Sequence, residues 1–384
     1  MQTKQSGVDW LGHIPQDWDT VRIGAIYQAR NVKVSDKDYM PLSVGYMGVV
    51  PQLENAAKTD DNDNRKLVLK NDFVINSRAD RRGACGISEL DGSVSLINIV
   101  LKPLKSGSND YFRYMFKSTG FSDEFYKWGT GIVDDLWSTK WTEMKRIRIP
   151  VPPIKTQKRI ATFLDKQIAI IDHQIEANKK AIDLLGEYRA SEINTKIWSG
   201  KYKTERMRFH TMVRNEKGQT TDNFIGLENI ESYTGRYVET ETIPNEEDAK
   251  KFYNGDLLIN RLRPYLTKSL LANKDGTCTG ELVVIKHYDG YIKYLMYLTL
   301  SHKYISLLES SVFGAKMPRA NWDFIKNISI PIKPITEQKE IVAYLDKKCK
   351  QIDQIIAYRK AIIEKLEEYK KSLIYETVTG KKEI

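Results

Sequence analysis

The sequence predicts a mixed α/β chain built as a tandem repeat. Each half is a mixed α+β globule followed by a long helix, and the two helices pair as an antiparallel coiled coil under a pseudo-twofold axis. Three observations lead there: identities that recur at one offset, two long stretches of heptad-spaced apolar residues, and short β-rich runs alternating with amphipathic ones between those stretches.

The main offset is 181. Pro150, Ile154, Gln157, Lys158, Ile160, Leu164, Asp165 and Lys166 return as Pro331, Ile335, Gln338, Lys339, Ile341, Leu345, Asp346 and Lys347. The preceding segments repeat more faintly. At 184, Asp72, Asn76, Asp91 and Gly92 meet Asp256, Asn260, Asp275 and Gly276, and at 181 Trp141 and Lys145 meet Trp322 and Lys326. The implied boundaries are a first globule at 1–150, a first connecting helix at 151–204, a second globule at 205–331 and a second helix at 332–384. The helices match well and the globules have drifted, so two copies of one scaffold carry two different surfaces.

In the first globule, residues 66–77 read as strand, turn, strand, residues 93–101 as one buried strand, and residues 111–128 as an amphipathic helix. The second globule gives the same order at 251–260, 281–286 and 291–309. Pro152-Pro153 and Pro334 stand where a helix can begin, and Ser199-Gly200 and Thr379-Gly380 where one stops. Between them runs an a/d seam: Leu164, Ile168, Ile171, Ile175, Asn178, Ile182 and Leu185 in the first copy, and Leu345, Cys349, Ile352, Ile356, Arg359, Ile363 and Leu366 in the second. Asn178 and Arg359 are its polar positions, where register can be set at some cost in stability. A helix of this length reaches ~65 Å at ~1.5 Å per residue. A compact globule returns its chain ends close together. The second helix is therefore expected to run back along the first, with the globules at opposite ends of a rod.

Composition narrows the function classes. The chain has 384 residues, a globular 41% hydrophobic fraction and a net charge of +10. The charge is uneven: +2 over residues 1–150 and +1 over 205–331, against +4 over 151–204 and +3 over 332–384. Bulk charge is thus weak evidence for a nucleic-acid partner, and a basic face on either globule must come from local asymmetry. No run of 18 apolar residues occurs and the first nine residues are polar, so neither a membrane span nor a signal peptide is expected. Three scattered cysteines, Cys85, Cys278 and Cys349, make no metal or disulfide framework, which fits a cytoplasmic protein.

Catalytic signatures are missing. There is no Asn-Pro-Pro-aromatic methyltransferase motif, no GxGxxG, no GxxxxGKS/T and no HExxH. Residues 60–66 (DDNDNRK) begin like a calcium loop but lack its glycine and closing glutamate, so no metal is expected. Glu143-x-Lys145 has the spacing of one nuclease signature, but the matching place in the second half is Phe324-x-Lys326. What stands out instead are the loops after the shared Asp-x-x-x-Asn. They read Arg78, Arg81 and Arg82 in the first globule and Arg261 and Arg263 in the second. Further on, Lys316 and Arg319 lie in a segment, 314–319, whose counterpart in the first half is 131–140. Arginine can hold guanine through two hydrogen bonds or clamp phosphate. These seven are the candidate DNA-binding residues, with pairing to neighbouring acids as the alternative. Trp10, Trp18, Trp137 and Trp141 are expected in the core rather than stacked on bases.

The opening 10–18 (WLGHIPQDW) and residues 149–160 (IPVPPIKTQKRI), with the latter's relative at 330–341, resemble the DNA specificity subunits of type I restriction–modification systems, and the resemblance spans the chain. It implies two target recognition domains, each reading half of a bipartite double-stranded DNA site. The paired helices would set the unread spacer and dock two modification subunits. Those subunits, rather than this non-catalytic chain, would bind S-adenosylmethionine and flip and methylate adenine, with restriction or translocase subunits joining for cleavage. The alternatives carried beside this reading are a stand-alone nuclease and a protein-docking adaptor without DNA contact.

Overall fold

A computed structural model of the chain describes residues 2–52, 63–78, 81–104, 109–132, 137–240, 249–310 and 319–384. They form two compact units, Met1–Ala177 with Ile362–Ile384, and Asn178–Ala361. Each unit holds one globule and a stretch of both long helices, Ile154–Trp198 and Ile335–Val378.

In the first unit a four-stranded antiparallel sheet runs in the order Cys85–Ile87, Phe73–Asn76, Asn98–Pro103, Tyr27–Ala29. A three-stranded sheet joins Gly92–Val94, Arg65–Val68 and Lys33–Val34. Side chains alternate across a strand, and here both faces are covered. Phe73, Ile75, Ile99 and Leu101 enter the main core, while Val74 and Val100 enter a smaller one with Leu42, Val68 and Val94. That is why these strands read as unbroken apolar runs. The second unit repeats the device: Leu257, Ile259, Val283 and Ile285 face one core, and Leu258, Leu282 and Val284 the other.

The long helices start directly after the prolines and stop directly before Ser199 and Thr379. Within the first unit Asp172 pairs with Lys370 at 2.6 Å, and Arg159 donates to the Ile384 carbonyl. Rising numbers on the first helix thus meet falling numbers on the second and on the tail that follows it, so the stretches are antiparallel. The second unit shows the same sense, with Asn178 against Arg359, Arg189 against Asp353 and Glu192 against Tyr344. Leu164, Ile171, Ile175, Leu345 and Ile352 are buried, and the remaining seam positions are half-buried. At the polar positions, Arg359 donates to Asn178 Oδ1 at 3.0 Å.

The identities shared by the two halves turn out to be joints. Gln157 donates to the Pro152 carbonyl and Gln338 to the Lys333 carbonyl, both at 2.8 Å, tying each strand–helix corner. Asp165 accepts from Arg113 and Tyr114, and Asp346 from Lys293 and Tyr297 at 2.7 Å each, locking each globule's helices to its connector. Burial, and then the hydrogen bond to the carboxylate, push the Tyr114 and Tyr297 hydroxyls well above the ordinary tyrosine range, so both remain donors.

Three expectations for the globules need correction. Residues 93–101 are two strands in different sheets, Gly92–Val94 and Asn98–Pro103, because a turn closed by Asn98 N–H on the Ser95 carbonyl at 3.0 Å intervenes. Residues 111–128 are two helices, Asn109–Met115 and Thr119–Lys127, since Ser118 takes an extended backbone and caps the second through the Phe121 N–H. Residues 291–309 also break, at Ser301, into Ile292–Thr299 and His302–Glu309; Ser301 has the same extended backbone but its hydroxyl donates to the Leu298 carbonyl at 2.6 Å instead of capping the second helix. At Ser118 a serine cap won over a continuous apolar period.

Candidate nucleic-acid interface

In each globule the Asp-x-x-x-Asn strand launches the candidate loop, and the shared residues hold the launch point rather than the ligand. Asp72 accepts two hydrogen bonds from Arg30 at 2.6 and 3.0 Å, and Asp256 two from Arg214 at 2.8 and 3.4 Å. The same carboxylates accept the Leu69 and Tyr253 N–H groups, each at 2.9 Å, closing the preceding turn. Asn76 Oδ1 accepts the Arg78 N–H at 3.0 Å. Asn260 accepts the Lys268 N–H at 3.0 Å and donates to the Leu262 carbonyl at 2.9 Å. Under the loops lies a further matched pair: Lys66 donates to the Asn98 carbonyl at 2.6 Å and Lys250 to the Leu282 carbonyl at 2.8 Å, and burial lowers the pKa of both.

The fold also brings the two candidate loops of each globule together. Thr139 N–H donates to the Ser77 carbonyl at 3.0 Å, and Ala320 N–H to the Arg261 carbonyl at 2.8 Å. Bridges Arg78–Ser138 and Leu262–Arg319 flank these bonds. Each globule's candidate interface therefore consists of two stapled loops, far apart in sequence.

The cations on them differ in how they are held. Arg78 is exposed and its side chain has no acidic partner among the described residues. Arg81 is exposed and has a partner of its own. Arg82 pairs with Asp123 and lies 4.8 Å over the Tyr126 ring. In the second globule one carboxylate serves two arginines: Glu281 pairs with Arg319 and, at 3.8 Å, with Arg261. Arg263 sits at φ 51°, in the left-handed region, with no acid on its side chain among the described residues. Lys316 lies outside the described residues. Trp137 donates to the Tyr126 carbonyl at 3.0 Å and packs so close to Gly129 that a β-carbon there would come within 2.2 Å of the indole nitrogen. Trp18 is buried, and Trp10 and Trp141 pack against the same core.

Sequence reasoning missed the staples, Glu281 as a shared clamp, and the short hairpin Leu42–Gly45 to Gly48–Pro51 that flanks the first interface. Nothing local in its sequence says which loop it stands beside. Glu143 pairs with Arg146 at 3.4 Å on the surface. Among the described residues no group of three or more His, Cys, Asp or Glu is placed to hold a metal, and no helix is long and apolar enough to cross a membrane.

Comparisons with known proteins complete the picture. The model of the type I restriction modification DNA specificity domain matches twice, at residues 15–182 and 210–368. The MjaVIII specificity subunit of Methanocaldococcus jannaschii is 23% identical over an alignment covering 96% of this chain and 93% of its own. The EcoDI specificity subunit of Escherichia coli is 28% identical over 137 residues, which is 35% of this chain and 29% of that one. Among solved structures, a chain from a study of complex assembly and conformational transition of the type I R-M system aligns at TM-score 0.73 and 12% identity, covering 95% of this chain and 98% of that one. The HsdS subunit from Thermoanaerobacter tengcongensis aligns at 0.54 and 15%, covering 96% and 98%.

Proposed function

The chain belongs to the family of type I restriction modification DNA specificity domains, and from that premise we propose that each of its globules reads one half of a bipartite DNA site through its pair of stapled loops. The observation that carries this is the contrast within each globule. The residues shared by both halves are turn clamps and helix joints, while the loops they launch carry unrelated residues, with exposed arginines in the first globule and half-buried ones in the second. A scaffold held constant under two unlike surfaces is what two different half-sites require.

The paired helices then set the spacer and dock two modification subunits, which hold S-adenosylmethionine and methylate adenine, with restriction or translocase subunits joining for cleavage. The chain's own part is binding and positioning. Arg78 and Arg263, with no acidic partner among the described residues, are the leading base-edge or phosphate contacts, whereas Arg82, Arg261 and Arg319 must trade or share an acid to reach DNA. Glu143 is engaged with Arg146, and nothing favours the nuclease reading.

The test is to reconstitute the chain with its modification subunits and map methylated adenines genome-wide with and without it. Methylation confined to one two-part sequence, and lost without the chain, is the expected result. Sequence-independent DNA binding, or binding that is insensitive to salt, would refute the proposal.

A further inference from the structure

Beside the first interface stands a feature that sequence-specific hydrogen bonding does not need. The hairpin Leu42–Gly45 to Gly48–Pro51 turns through Tyr46 and Met47, and these are 66% and 87% exposed. Gly48, at φ 108°, takes up the reversal so that neither bulky residue has to adopt a positive φ. The root is anchored: Leu42, Val44 and Val49 pack in the smaller core. Gly86 lets the hairpin lie flush on the neighbouring strand, for a β-carbon there would sit 2.9 Å from the Gly48 α-carbon. The tip is thus a rigidly based projection whose two apolar side chains meet water.

Its surroundings are cationic and also apolar. The Tyr46 ring lies 4.0 Å from where a Gly83 β-carbon would stand, on the arginine loop. The Lys117 ammonium is 3.7 Å from the corresponding Gly48 position. Tyr46, Arg81 and Ile97 line one cleft of about 290 Å³. Leu96 and Ile97, on the next turn, are exposed as well. Scattered exposed apolar residues need no explanation, but here Tyr46 and Ile97 share a cleft with Arg81, next to the exposed Met47 and Leu96, and Lys117 lies beside the hairpin turn. A tip this small cannot build a protein–protein interface of ordinary size. An apolar tip with Arg81 and Lys117 beside it suits a partner with stacked apolar faces between anionic rails.

We propose that Tyr46 and Met47 form a wedge that enters duplex DNA at a base-pair step in or beside the first half-site, unstacking it while the neighbouring cations hold the phosphates. This rests on the DNA-reading function above and adds deformability of one step to what the first globule reads. The corresponding turn of the second globule is built differently. Tyr233 is tied down, its hydroxyl donating to the Tyr265 carbonyl at 2.8 Å and its N–H to the Thr267 carbonyl at 2.9 Å, so no wedge is expected there.

The experiment uses the complex with its modification subunits and duplexes carrying 2-aminopurine at successive positions across both half-sites, omitting the adenine to be methylated. Fluorescence should rise at one step of the first half-site with the native chain and stay low with Y46S/M47S. That variant should also bind the specific duplex roughly tenfold or more weakly, and Y46F/M47L should retain both properties. A thermal melt of Y46S/M47S matching the native chain excludes misfolding. Specific binding without a bright step, or an unchanged Y46S/M47S, overturns the wedge and leaves the DNA-reading function standing. Loss of the modification subunits rather than of DNA by Y46S/M47S assigns the tip to a protein contact and also overturns it. Absence of any specific binding by the native complex overturns both.

Discussion

Arginine is a poor witness when read from sequence, because its role depends on which carboxylate lies within reach. Seven basic residues qualify by position, yet Arg82 is held by Asp123, while Arg261 and Arg319 divide Glu281. Arg78 and Arg263 have no such partner among the described residues. Arg78→Ala should therefore relax discrimination at one half-site and leave the other intact, and Arg263→Ala should do the reverse, by about 1–3 kcal/mol per lost base contact. Competition binding with duplexes altered in one half at a time reads this directly, and equal losses at both halves would reduce these arginines to nonspecific contacts. Glu281→Gln makes the opposite kind of prediction. Freeing two arginines at once should raise nonspecific affinity and steepen its salt dependence, measured by titration at two ionic strengths. An unchanged slope would mean that Arg261 and Arg319 do not reach phosphate. That Glu281 is the hinge of this cluster was not legible in the chain, because it stands 20 residues from one partner and 38 from the other.

At the scale of elements, the helices were the easiest part to read and the globules the hardest. A heptad seam is a local signal, since residues three and four apart share a helix face whatever surrounds them. The globule strands carry no such period. With cores on both faces they are uniformly apolar, so where one ends and a turn begins depends on Ser95–Asn98, and the break between helices on Ser118, not on hydropathy. The seam's polar pair gives an element-level prediction. Asn178→Leu leaves the half-buried Arg359 guanidinium without its 3.0 Å acceptor and should cost about 1–3 kcal/mol. The double change Asn178→Leu with Arg359→Leu should restore or exceed native stability. Thermal denaturation of the two variants beside the parent tests it, and an Asn178→Leu variant as stable as the parent would show that the pair contributes nothing. Tyr297→Phe, which removes a donor to Asp346, should loosen the second globule's helices from their connector at about 1–2 kcal/mol. Hydrogen exchange of Ile292–Thr299 in the variant is the measurement.

For the whole molecule, the proposed spacer role predicts a change in target rather than in strength. One heptad inserted at Asn178 and another at Arg359 keeps the seam in register and lengthens both helices by ~10 Å, close to three base pairs at ~3.4 Å each. Methylome mapping should show the same two half-sites separated by a spacer about three base pairs longer. An unaltered spacer would refute the helices as its measure. What the sequence by itself determined was everything that repeats: the duplication, the mixed globules, the long helices and their antiparallel pairing, and the absence of a familiar catalytic motif. Periodicity and offset are properties of one dimension. Which loops meet was decided only in three dimensions. Ser77 finds Thr139 and Arg261 finds Ala320, Glu281 gathers two arginines, and Tyr46 comes to rest beside Gly83. Each of these joins segments separated by dozens of residues of independently folding strand and turn, and no local pattern records a contact that exists only once the sheet has closed.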